Sequence, residues 1–147
     1  MTQRWTSEPL AVPRDAAAPF IHADLEFEDV AHDGPSCVVR LYLNQPDVDA
    51  GAGIEAPGHA GQFTIFGHGD CWGDLGHCDV PTGPLHAFDR RPAHPLTPIN
   101  ITVDVTAALL ALPDADAVTV TALAESLQPA DGPEPLRFKR LTLLTYE

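Results

Sequence analysis

Between His59 and His94 the chain gathers five of its seven histidines and two of its three cysteines. The densest part reads H-G-D-C-W-G-D-L-G-H-C and contains His68, Cys71, His77 and Cys78. Two thiolates and two imidazoles complete a tetrahedral zinc site, or a soft site for cuprous copper. The spacing meets that chemistry only in part. Six residues separate Cys71 from Cys78, where zinc motifs use roughly two to four, and the neighbours His77 and Cys78 do not readily face one ion. Gly67, Gly69, Gly73 and Gly76 would let the segment fold back on itself. His59, His86 and His94 are further donors from the same stretch. The same residues allow other readings. A Cys71–Cys78 disulfide would close a small loop. In a packed turn, Trp72 and Phe88 would bury and the histidines would bond the backbone. A thiolate of Cys71 or Cys78 activated by histidine and Asp70, Asp74 or Asp79 needs a hydrogen bond that adjacency alone does not provide.

Arg90 and Arg91, beside Asp89, are the basic pair of this stretch. With Trp72 and Phe88 they form a candidate contact surface, where the guanidinium groups would clamp an anion or a partner's carboxylate. The chain has no G-x-S-x-G, no phosphate-cradling glycine loop and no dinucleotide fingerprint.

Such a stretch needs a frame. Pro and Gly make up 15 and 11 of 147 residues, which favours short strands and many turns. In F-I-H-A-D-L-E-F-E-D-V, apolar residues alternate with polar ones from Ile21 to Phe27, the period of a half-buried strand. H-D-G-P is a turn, and S-C-V-V-R-L-Y-L-N is a second strand closing at Asn44 and Pro46. Cys37 at its start reads as an inert buried thiol. After a glycine-rich connection, Q-F-T-I-F-G is a third strand that delivers the chain into the Cys/His stretch. Beyond it, P-I-N-I-T-V-D-V is a strand running into a short helix, T-A-A-L-L-A-L, capped by Asp104 or Thr106. A-V-T-V-T-A-L-A-E-S follows as a strand with its threonines outward, and L-R-F-K-R-L-T-L-L-T-Y is the last. The expected fold is mainly β: an antiparallel β-sandwich with one short helix and a long Cys/His-rich loop. Residues 1–19 read as an extended arm, with Trp5 as its anchor where it docks, and residues 20–147 as the sandwich, with the loop within 59–98. His22 and His32 fall on a strand and its turn, as surface residues.

The formal net charge of −13 argues against nucleic acid or an anionic membrane as partner, since phosphate binding depends on basic side chains. No stretch approaches the ~18 apolar residues that span a bilayer, and the first residues lack a signal-peptide core. The expected compartment is the cytoplasm, where thiols stay reduced and clustered cysteines point to metal or redox chemistry.

The order V-R-L-Y-L-N-Q-P-D, A-G-Q-F-T-I-F-G-H, V-T-A-A-L-L-A-L and V-T-V-T-A-L resembles the C-terminal domain of the tyrosinase and polyphenol oxidase family. The resemblance runs through roughly residues 20–146 as a pattern of strands and turns. G-H-C-D-V-P and R-R-P-A-H-P-L-T-P look like the longer loop of bacterial members. It implies a β-sandwich that packs over a copper enzyme's active site as a shield. The catalytic half of such enzymes supplies its copper ligands from helices, and this chain has no helical H-x-x-x-H pair. The resemblance therefore implies the cap without the enzyme: a non-catalytic accessory domain serving an oxidase partner, with copper or zinc as the ion its loop would hold. The alternative is a small metal-dependent enzyme using that loop as its site. A second copy of the chain is a further candidate partner, because sandwich edges need protection.

Overall fold

Alternation builds the central strands. In the computed structural model the chain forms β1 (Thr2–Thr6), β2 (Leu10–Ala11), β3 (His22–Val30), β4 (Cys37–Leu43), β5 (His59–Ile65) and β6 (Ile99–Asp104). A helix, α1 (Thr106–Leu110), then precedes β7 (Ala117–Val118), β8 (Val120–Ser126) and β9 (Arg140–Tyr146). The structure describes residues 1–13, 19–69, 84, 87–88, 96–127 and 133–147. Along β3, Ala23, Leu25 and Phe27 are fully buried, while His22, Glu26 and Glu28 are only partly covered. The strand therefore has one core face and one face turned away from it.

All pairings are antiparallel. One sheet runs β1-β8-β4-β5 and another β6-β3-β9, with a two-stranded β2-β7 ribbon beside them. The core between the two larger sheets takes Val39, Leu41, Ala122 and Ala124 from the first and Ala23, Leu25, Phe27, Val103 and Leu143 from the second. This is the expected mainly-β, sandwich-like arrangement with one short helix.

Four rings thread its interior. Trp5 of β1 meets Phe138 edge-on at 4.8 Å between centroids, Phe138 meets Phe27 of β3 at 5.1 Å, and Phe27 meets Phe63 of β5 at 5.1 Å. The two edge-to-face pairs, Trp5–Phe138 and Phe138–Phe27, add about 0.5–1.5 kcal/mol each beyond their buried area. The first residues are thus part of the sandwich and not an arm outside it, as residues 1–19 were expected to be. Thr2–Thr6 form the outer strand of the larger sheet, in register with β8 from Thr2↔Glu125 to Thr6↔Thr121. Pro9 and Pro13 lie outside the strand pairs and leave β1 free to bond. Trp5 is the anchor.

Two further departures come from the segment after β4. Read from composition, it is a loose glycine-rich connection, yet it folds across the outer face of the larger sheet. The Tyr42 hydroxyl donates to the Ala52 carbonyl at 2.8 Å and the Arg4 guanidinium donates to the Val48 carbonyl. Beneath it Tyr42, Leu123 and Thr121 are wholly buried although they point away from the core. Thr121 is therefore off the core face, as its alternation predicts, but not exposed. Its hydroxyl lies 3.2 Å from that of Thr6.

The two sheets come closest at β5 and β6. Gly61, at φ +153°, sits where an added Cβ would lie 2.8 Å from Val103 Cγ1, so a side chain there would push the sheets apart. The anchoring role of Trp5 is open to measurement. Trp5→Ala should cost about 2–3 kcal/mol in urea unfolding with an unchanged m value. A change within about 0.5 kcal/mol, the usual effect at a surface position, would show that Trp5 does not anchor β1.

Candidate functional site

Two places in the described structure gather groups with chemistry. The first is the root of the 59–98 excursion. After β5 the chain turns against the 31–36 turn: Gly67 N–H donates to Ser36 Oγ at 3.0 Å and His68 N–H to the His32 carbonyl at 2.8 Å. A Cβ on Gly67 would fall 2.2 Å from the Gly34 carbonyl oxygen, so only glycine permits this approach. His32 Nε2 donates to the Thr97 carbonyl at 2.7 Å, holding the returning end. One histidine therefore secures both ends of the excursion, and its ring stacks edge-on to His68 at 5.5 Å. Expected as a surface residue, His32 is half-buried and structural.

Of the residues singled out from the sequence, Cys71, His77, Cys78, His86, His94, Trp72, Arg90 and Arg91 lie outside the described residues. His68, half-buried, stands just beyond β5, and His59 begins that strand. Seven extended residues span roughly 20 Å, so His59 and His68 do not share one ion. Burial, aided by the charge of Arg40, pushes the His59 imidazole below its ordinary pKa, and its ring packs on Tyr42 at 5.7 Å. Phe88 is 86% exposed and Phe66, at the root, 78%. Cys37 is wholly buried, its thiol directed at the Pro135 carbonyl at 3.4 Å. Burial raises its pKa to about 11, which fits the inert thiol expected of it.

The second place was not singled out in advance. His22, Asp24 and Asp104 each bring one donor atom within 4.8 Å of the other two, a group that could hold a metal ion. The strands dictate it. His22 and Asp24 are two apart on β3 and so share a face, and the register Asp24↔Asp104 sets the second aspartate directly across on β6. His22 Nε2 lies 2.9 Å from Asp24 Oδ1, and its Nδ1 is 3.9 Å from Asp104 Oδ2.

Thr106 fixes the third member. Its backbone N–H and hydroxyl both donate to Asp104 Oδ1, at 2.8 and 2.5 Å, while its Oγ1 accepts the Ala23 N–H at 2.9 Å. These bonds hold the Asp104 carboxyl below the usual aspartate pKa, the hydroxyl contributing most and His22 helping. The cap position of α1 is Val105, with no side-chain cap bond, so neither Asp104 nor Thr106 caps the helix as expected, although Asp104 accepts the N–H of its first residue. The sequence signal existed, H-x-D on one strand and an aspartate ending another, but only the pairing register joins them.

No protein family, no curated protein and no solved structure matches this chain. Among the described residues no helix is long and apolar enough to cross a membrane.

Because the folded pKa of Asp104 is lowered, its contribution to stability is in force above its ordinary value of 3.8. It is lost as pH falls through the folded value. In metal-free protein, Thr106→Val should raise the Asp104 pKa in an NMR titration of the carboxyl carbon. An unmoved titration would rule out the hydroxyl as the main cause.

Proposed function

We propose that this chain is a non-catalytic binding module, a β-sandwich that packs on or serves a copper oxidase partner in the cytoplasm through the connection between β5 and β6. The observation carrying this reading is the distribution of exposed apolar surface. The two most exposed large hydrophobic side chains among the described residues, Phe88 at 86% and Phe66 at 78%, both belong to that connection. A large ring that is mostly exposed while resting edge-on against His68, beside the secured start of that connection, suits a contact surface. The choice of partner rests on the resemblance of the sequence segments to the C-terminal domain of the tyrosinase family. Trp72, Arg90 and Arg91 would extend the surface. His68, Cys71, His77 and Cys78 would supply donors for copper or zinc, which the partner's chemistry would use.

Support for a non-catalytic role comes from the charged groups. Arg40 pairs with Glu125, Arg137 with Asp33, Lys139 with Asp29 and Arg140 with Glu28, so these residues brace strands and turns. A metal-dependent enzyme is the second reading, favoured by the His22, Asp24 and Asp104 group.

Affinity purification from the native host decides between them. The wild-type chain should recover a copper-containing oxidase, and a Phe66→Ser/Phe88→Ser variant with unchanged circular dichroism should lose it at least about tenfold, the usual scale for a contact hot spot. Recovery of the chain alone, or equal recovery by both proteins, defeats the docking reading.

A further inference from the structure

The outer face of the three-stranded sheet bears a row of charges along β3: His22, Asp24, Glu26 and Glu28, with Asp104 opposite Asp24. One end of the row is neutralised. Arg140 grips Glu28 with Nε at 2.9 Å and an η nitrogen at 2.5 Å, a forked pair, and Lys139 and Arg137 take Asp29 and Asp33. At the other end the balance is missing. Every Lys and Arg among the described residues is engaged elsewhere, Arg4 on the Val48 carbonyl and Arg40 on Glu125. Two carboxylates directly opposite on paired strands repel, and Asp24 is only 9% exposed. Its one side-chain partner among the described residues is His22. Among the described residues no Lys or Arg stands beside this pair of carboxylates, one buried and one exposed, so a cation entering there would be held by both.

We infer that His22, Asp24 and Asp104 form a binding site for a first-row divalent transition cation of the zinc class. The donor set is one imidazole and two carboxylates, which suits zinc and its neighbours. Calcium takes about six to eight oxygens and magnesium a near-octahedral oxygen shell, and three donors including a nitrogen satisfy neither. His22 Nε2 and Asp24 Oδ1 touch directly at 2.9 Å, and two donors at roughly 2.0–2.2 Å from a tetrahedral ion stand about 3.4 Å apart, so an entering ion would replace that contact with only a small opening of the pair. Thr106 occupies Asp104 Oδ1 and leaves Oδ2 to face the ion, the kind of outer hydrogen bond that orients a metal ligand. Water would complete the coordination. This site is separate from the contact surface proposed above and stands without it.

The test titrates ZnCl2 into chelator-treated protein by calorimetry, in a Cys71→Ser/Cys78→Ser background that removes the competing thiols. One zinc per chain is expected, with a raised unfolding midpoint. Asp24→Asn and Asp104→Asn should each weaken that binding by at least about 100-fold, since even outer-shell changes at metal sites cost roughly 10–100-fold. Without zinc, both variants should still unfold cooperatively, Asp104→Asn at a somewhat lower midpoint because the bonds of Thr106 to its carboxylate are weakened. Asp104→Asn decides alone if the more buried Asp24→Asn does not fold. Zinc affinity unchanged in these variants, or calcium binding as tightly as zinc, overturns the site. Loss of zinc only in the cysteine variant also overturns it, and none of these results touches partner recovery by Phe66 and Phe88.

Discussion

The fold depends on a file of aromatic rings that crosses the space between its sheets. Phe27, fully buried on the central strand β3, touches Phe63 on one side and Phe138 on the other, and Phe138 passes the contact on to Trp5. The two sheets meet through these rings and the branched aliphatic residues around them, not through shared hydrogen bonds. What orients β3 relative to β5 is therefore the packing of Phe27. Because side chains alternate along a strand, fixing Phe27 inward also fixes His22, Asp24, Glu26 and Glu28 outward. The hydrophobic core and the acidic row are two consequences of one register.

The same constraint sets the root of the long excursion. β5 is an edge strand that approaches β6 closely enough for Gly61 to be required against Val103. The excursion leaves one sheet and returns to the other across this seam. Its two ends are joined to the 31–36 turn by the backbone of His68 and the ring of His32. The cost of closing a connection grows only slowly with its length, so a rigid frame that fixes its two ends can carry a long one. An exposed ring at such a root, that of Phe66, is compatible with stability because the frame beneath does not depend on burying it.

How far this was legible in the residues follows from which interactions are local. β3, β4, β6 and the helix after β6 were readable because alternation and β-branched runs report one strand's own faces, and the observed ends fall within a residue or two of those expected. β1 was not, since T-Q-R-W-T carries little alternation and becomes a strand only because β8 offers it an edge and Phe138 receives Trp5. The cover over Tyr42, Leu123 and Thr121 was equally hidden. Nothing in D-V-D-A-G-A-G states that its carbonyls will accept a tyrosine hydroxyl. His32 looked like a surface residue because its partner, the Thr97 carbonyl, lies 65 positions away.

The His22 group shows the limit most sharply. Cysteines and histidines crowded in sequence draw attention because short spacing is visible, yet a β fold assembles its close neighbours across strands. Asp24 and Asp104 are 80 residues apart in sequence and opposite one another in register. In such a fold, the informative unit is a pair of polar positions that alternation turns outward on two strands expected to pair. By that criterion H-x-D at the start of β3 and the aspartate closing β6 belong together before any coordinates exist, provided that the two strands are known to be antiparallel neighbours. The acidic excess of the chain then acquires a local meaning. The basic residues of the C-terminal segment are spent on one end of the β3 row, so among the described residues the other end has only the His22 imidazole as a partner, and that asymmetry distinguishes this corner from an ordinary solvated sheet face.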